Sequence, residues 1–181
     1  MVKKNEVISI AVTGPESSGK SFTSEALAEY FDGWVVPEFA RQYLVQIDRE
    51  YTYEDVLTIA RAQADIEQKV LADADRDEVK IVFFDSELIN TRIWLEEKFD
   101  TCADFVKEAI QHSPHDHYLL MKPDLEWEPD PLRENPYDRD RLFDLHVKYF
   151  REYNKSYTVI EGDMNTRIEL AKRVARTFFM K

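Results

Sequence analysis

The 181-residue chain is 44% hydrophobic and 33% charged, the balance of a soluble globular protein, and its length suits one domain over 1–181 with a core that needs no staples. A formal charge of -12 argues against nucleic acid as the main partner and against anionic membranes, because binding to phosphate backbones needs clustered Lys and Arg. The single cysteine, Cys102, excludes an internal disulfide, no apolar run reaches the roughly 18 residues of a membrane helix, and Lys3 and Lys4 precede a strand rather than a signal-peptide core, so a cytoplasmic protein is expected.

Residues 6 to 13 are apolar and β-rich, fit for a strand buried on both faces of a parallel sheet. A helix from Ser18 to Phe31 follows, with Thr23, Leu27, Tyr30 and Phe31 on its packing face. Gly33 breaks it, Trp34-Val35-Val36 makes a short strand, and a helix begins near Phe39. Thr52 and Asp55 form a capping box that opens a helix to about Ala74, with Val56, Ile59, Ala60, Gln63, Ile66 and Val70 on one stripe. The strand Lys80 to Phe84 ends at Asp85-Ser86-Glu87, and helices over 88 to 98 and 101 to 112 lead to a strand at Tyr118 to Met121. Between Glu126 and Arg141 the pattern is broken by Pro129, Pro131 and Pro136 and studded with Arg133, Arg139 and Arg141, which reads as a mobile lid loop. A helix carrying Leu142, Leu145, His146, Tyr149 and Tyr153, a strand from Tyr157 to Glu161 and a closing helix from Ile168 to Phe178 complete the chain. Strand and helix alternate throughout, so the expected class is α/β, with five parallel strands and helices on both faces.

In such a sheet the ligands gather beyond the carboxyl ends of the strands. There lies Gly14-Pro15-Glu16-Ser17-Ser18-Gly19-Lys20-Ser21, a fit to the G-x-x-x-x-G-K-[ST] phosphate loop. Gly14 and Gly19 let the backbone curl so that N–H groups point at phosphates, Lys20 reaches the β and γ phosphates, and Ser21 offers a hydroxyl to Mg²⁺. The N-terminus of the following helix adds its positive end beneath the anion. ATP and Mg²⁺ are the expected cofactors. Asp85, closing an apolar strand, suits a second metal ligand. Glu38 is placed to accept the proton of an acceptor hydroxyl, a role that Asp85 also fits, or is simply a carboxylate in the first turn of its helix favoured by the dipole. Arg41, one turn on, is a partner for Glu38 or for a phosphate, and Phe39 and Tyr43 are either core or a stacking surface for the substrate. Glu87 faces the acceptor or opens the next helix. Arg133, ahead of Arg139 and Arg141, can neutralise the phosphoryl group in flight or form surface ion pairs, and Trp127 is a substrate-stacking ring or a hinge anchor. His112, His115 and His117 fit an exposed turn better than a metal site.

Taken together, the phosphate loop with its Glu-Ser-Ser interior, Pro37-Glu38-Phe39-Ala40-Arg41, the Gln63-bearing helix, Phe84-Asp85-Ser86-Glu87 with Thr91, and Trp127 leading into Leu132-Arg133 resemble the ribosylnicotinamide kinase domain of the NadR type, over nearly the whole chain. The resemblance implies a P-loop nucleoside-kinase-like fold with strand order 2-3-1-4-5 and transfer of the ATP γ-phosphate to the 5'-hydroxyl of nicotinamide riboside. It also implies that Gly14 to Ser21 hold ATP and Mg²⁺, that Asp85 and Glu38 act near metal and hydroxyl, that Arg133 belongs to the lid, and that the segment after Gly162 lies by the adenine. Such regulators also carry an adenylyltransferase domain, for which these 181 residues have no room. A small-molecule substrate is therefore the expected partner, with an oligomer possible. The alternatives are a kinase for another nucleoside, nucleotide or metabolite, and an ATP- or GTP-hydrolysing switch, although no Asn-Lys-x-Asp for guanine is present.

Overall fold

The protein is organised on a five-stranded parallel sheet of order β2-β3-β1-β4-β5. Residues 7–180 are described by this computed structural model; Lys3, Lys4 and the expected first strand residue, Glu6, lie outside them. The elements run β1 (Ile8–Thr13), α1 (Lys20–Phe31), β2 (Trp34–Val36), α2 (Phe39–Gln46), α3 (Tyr53–Arg76), β3 (Ile81–Asp85), α4 (Leu88–Phe99), α5 (Asp104–Gln111), β4 (His117–Met121), α6 (Arg139–Glu152), β5 (Tyr157–Ile160) and α7 (Met164–Phe179).

Strand β1 lies at the centre, between β3 and β4, and its alternation explains why both faces are covered. Ile10 and Val12 join Leu27 and Ala28 of α1 and Ala171 and Ala175 of α7 on one face. Ala11 points the other way, into the larger cluster built from α3, α4, α5 and α6. The capping box at Thr52 forms as expected: Asp55 accepts the Thr52 N–H at 2.7 Å, and the Thr52 hydroxyl receives the Asp55 N–H. Such a cap contributes about 1 kcal/mol to starting α3.

Several expected details shift. On α1 the buried residues are Thr23, Ser24, Leu27 and Ala28, whereas Tyr30 is 48% exposed. Its ring lies beneath the cations of Lys172 and Arg176 on α7, 4.4 and 5.1 Å from the centroid. The stripe of α3 continues through Glu67, Leu71 and Ala74, all buried. Of the histidines near Pro114, His112 is exposed as expected, but His115 and His117 are buried. His115 Nδ1 meets the Ser9 hydroxyl at 2.9 Å, and Glu67 faces its Nε2 at 3.5 Å. His117 lies between the hydroxyls of Ser156 and Thr158 at 3.0 and 2.9 Å. No cluster able to hold a metal forms from His, Cys, Asp or Glu among the described residues. Cys102 is a buried member of the α3–α6 core. Among the described residues no helix is long and apolar enough to cross a membrane.

Candidate active site

The site is built where β1, β2 and β3 end. Leaving β1, the chain turns at Gly14, whose φ of 135° belongs to glycine and where an added Cβ would stand 2.6 Å from the Met121 carbonyl oxygen. The loop runs tightly against β4 because nothing but hydrogen occupies that gap. Ser17 and Gly19 also take positive φ, 54° and 82°. The Ser18 hydroxyl donates to the Pro15 carbonyl at 2.7 Å, and the Lys20 ammonium lies over the same carbonyl at 2.9 Å. The loop thus holds its curl by itself, with the lysine parked on its rim.

Asp85 ends β3 in register with Val12, and the next amide, Ser86 N–H, donates back to the Val12 carbonyl at 2.9 Å. Ser86 sits at φ 71°, a left-handed conformation that is strained for serine. This corner presents Asp85 to the phosphate loop: the carboxylate is buried, its Oδ1 has no hydrogen-bond partner, and burial raises its affinity for a proton while Lys20 and the Ser21 hydroxyl oppose that rise. An orphaned buried carboxylate oxygen beside a serine hydroxyl offers the oxygen ligands suited to a hard cation such as Mg²⁺.

Glu38 precedes α2, but its side chain does not cap that helix. It turns instead toward the same space. Burial pushes its carboxyl above the usual range and Asp85 adds to that, whereas Lys20, Ser86 and Arg41 pull it back. Beside it lies a small cavity of about 20 Å³ lined by Glu38, Ser86, Glu87, Asn90 and Trp94, with Gln63 and Thr91 behind. That holds little more than one water. No residue of α2 is fully buried, so this wall can move aside at little cost in apolar burial. A larger recess of about 370 Å³ runs along the outer edge of β2 around Trp34 and Val70, and none of the candidate residues lines it.

The remaining candidates have defined partners. Glu87 opens the next helix, capping α4 through the Ile89 N–H at 2.7 Å, and it also borders the cavity, with Thr13 donating to it at 3.0 Å. It is buried, and its carboxyl is pushed up to about 7. Phe39 packs against Tyr43, ring centroids 6.2 Å apart, and the Tyr43 hydroxyl donates to Asp55 at 2.8 Å. Arg41 pairs with Asp130 at 2.6 Å rather than with Glu38. Residues 122–138 contain no helix or strand. Arg133 lies in this segment, whereas Arg139 and Arg141 open α6. The guanidinium groups of Arg133 and Arg139 lie 6.0 and 5.7 Å from the Trp127 ring centroid. Arg139 also donates to the Ser17 carbonyl at 3.2 Å, whereas Arg141 turns away to Glu97 and Asp138.

A family model described as an AAA domain matches residues 9–167. The chain belongs to the AAA-domain family. Among curated relatives, the trifunctional NAD biosynthesis/regulator protein NadR of Salmonella typhimurium is 26% identical over 186 residues, spanning 96% of this chain and 44% of that protein. The chain therefore spans under half the length of that relative. Of solved structures, NadR in complex with NR superposes with a TM-score of 0.81 at 20% identity, covering 97% of this chain and 52% of the other. NadR with NAD and AMP-PNP gives 0.74 at 20% identity, over 97% and 50% of the two chains. A thymidylate kinase from Ehrlichia chaffeensis gives 0.68 at 14% identity, over 93% and 98%. The sheet order and these likenesses establish a P-loop kinase fold and bear out the NadR-type resemblance.

Within this AAA-domain framework the segment after Gly162 brings Arg167 to the phosphate loop, a contact that spans 149 residues. Arg167 is fully buried and donates to the carbonyls of Gly162 at 2.7 Å, Ser18 at 3.1 Å and Lys122 at 3.0 Å, with Asp124 as its acid. A signal was present: Arg167, Ala171 and Ala175 stand four residues apart on the apolar stripe of α7. Asn90 and Trp94 likewise share a face with Glu87 and Thr91 at helical spacing.

Proposed function

We propose that the chain is an ATP-dependent kinase that phosphorylates the 5'-hydroxyl of nicotinamide riboside, giving nicotinamide mononucleotide and ADP. The observation that carries this is the convergence of Lys20, Asp85 and Glu38 from three adjacent strand ends beside a polar cavity. The loop from Gly14 to Ser21 would hold the triphosphate on backbone N–H groups, and Lys20 would leave the Pro15 carbonyl for the β and γ phosphates. Ser21 and Asp85 would hold Mg²⁺, which supplies charge neutralisation between the phosphates. Glu38 would accept the proton of the attacking hydroxyl; a carboxyl raised by burial is a better base than an exposed one. Arg133 and Arg139, already grouped around Trp127, would neutralise the equatorial oxygens of the moving phosphoryl group.

The acceptor reading rests on the chemistry of the pocket and on the relatives. Nicotinamide riboside carries a fixed positive charge, which the carboxylates of Glu38 and Glu87 and the rings of Phe39 and Trp127 suit. Tyr43 and Arg41, each held by an acid, lie on α2 beyond Glu38 and outside the cavity lining. A solved relative holds NR, and another holds the ATP analogue AMP-PNP.

The deciding experiment is ADP release with Mg-ATP, alone and with nicotinamide riboside, common nucleosides and nucleoside monophosphates. Strong stimulation by nicotinamide riboside with nicotinamide mononucleotide as product is the expected result. Stimulation by a different acceptor would keep the transfer chemistry and replace the substrate; steady hydrolysis indifferent to the panel would overturn the kinase reading in favour of a switch.

A further inference from the structure

The interior of the phosphate loop carries an acid, Glu16, in a place built to receive a triphosphate. Its carboxylate is spent on the lid. Both oxygens accept the Glu134 N–H at 3.1 Å, and Oε2 accepts the Asn135 N–H at 2.9 Å. The neighbouring Ser17 hydroxyl receives the Glu128 N–H at 3.0 Å and lies 3.3 Å from the Glu126 carbonyl. Two successive residues of the loop therefore hold the irregular segment at two places, and Arg133 lies between them, 3.5 Å from the Ser17 hydroxyl.

The same residue, Glu134, reaches the other side of the site. Its carboxylate accepts the Tyr51 hydroxyl at 3.0 Å and pairs with Lys98 at 3.3 Å, and Tyr51 in turn receives the Trp94 indole N–H at 3.0 Å. Trp94 lines the cavity beside Glu38. A continuous path thus runs from the phosphate loop through Glu16, Glu134 and Tyr51 to the wall of the acceptor pocket.

We infer that Glu16 is a positioning residue whose carboxylate latches the lid onto the phosphate loop, setting Arg133 over the phosphates and Trp94 against the acceptor. The inference rests on the kinase reading for its effect on turnover but not for the latch itself. A carboxylate suits the task because it can take two successive backbone N–H groups through charge-assisted bonds, about twice as strong as neutral ones. The geometry also gives a signature opposite to that of an ordinary phosphate-loop residue. Removing Glu16 takes a negative charge away from the triphosphate, so ATP affinity holds or rises while turnover falls.

The test compares the wild type with Glu16→Ala and Glu16→Gln in the full chain. Hydrogen exchange is followed at the amides of Glu134 and Asn135, and the transfer assay gives kcat and ATP affinity. In Glu16→Ala those two amides should exchange at least about tenfold faster, while core amides of β1 keep their protection. Its kcat should fall by about tenfold or more, with ATP affinity unchanged or up to about threefold tighter. Glu16→Gln, whose amide oxygen still accepts, should lie between, and it carries the same test should the alanine variant fail to fold. Unchanged exchange at Glu134 and Asn135 would overturn the latch, as would ATP affinity and turnover falling together. If no acceptor stimulates ADP release by the wild type, the kinase reading falls and the exchange measurement alone decides the latch.

Discussion

The two halves of the site are held by different physics. On the strand-end side, Asp85 sits in register with Val12, Gly14 leaves no room for a Cβ against Met121, and Thr13, Ser18 and Asp85 are buried. Displacing any of these groups would disrupt sheet pairing and core packing. On the lid side, residues 122–138 are fastened by individual polar bonds, several of them exposed, among them Glu16 to Glu134, Arg41 to Asp130 and Lys98 to Glu134. Bonds of that kind each contribute about 2 kcal/mol or less. The strand-end side is therefore fixed by sheet and core, while the lid is fastened by bonds whose energy a bound ligand could match. That division would suit the proposed kinase, since catalysis of phosphoryl transfer is positioning plus charge neutralisation, and substrates must still enter.

Variants on the two sides should behave differently. The largest effect belongs to Glu38→Gln, which should cut turnover by about 10² to 10⁴ while leaving ATP binding nearly intact. Unchanged turnover in a steady-state assay would pass the base role to Asp85 or to no residue.

The next effect is one of stability. Glu87 titrates near 7 in the fold and near 4.5 when unfolded. Its burial thus costs nothing below pH 4.5, costs progressively more as the pH rises toward 7, and is constant above, on the order of 3 kcal/mol at most. Thermal melts from pH 5 to pH 8.5 should show the wild type losing stability relative to Glu87→Gln as the pH rises, and parallel curves would contradict the assigned shift.

Arg133→Ala should be the mildest of the three. It should lower turnover by about ten- to a hundredfold and shift the melting temperature hardly at all, because its bonds lie in the exposed lid. A loss of stability equal to that of a core substitution would erase the distinction between the two sides.

What was legible in the sequence follows the same division. The phosphate loop, the strand ending at Asp85 and the Thr52 capping box depend on local pattern, and each forms where expected. The strand order came from the resemblance rather than from periodicity, because hydrophobic alternation says which face is buried and not which strand is the neighbour. Glu38 could be placed at a strand end, but whether it capped α2 or turned into the site depended on Lys20 and Asp85, both distant in sequence. Contacts between remote segments were illegible for the same reason. Glu16 meets Glu134 across 118 residues, and Tyr30 meets Arg176 across 146. The burial of His115 also depends on a distant partner, Glu67 on α3, which the apolar stripe did not announce.

Arg167 links the phosphate loop to the order in which the chain is made. Its guanidinium joins the Ser18 carbonyl to those of Lys122 and Gly162, and the Ser18 contact spans 149 residues. During synthesis the loop emerges early, but the cation that ties it to β4 and the end of β5 arrives only with α7. A nascent chain therefore completes the hydrogen bonds around this loop only after α7 has left the ribosome and docked.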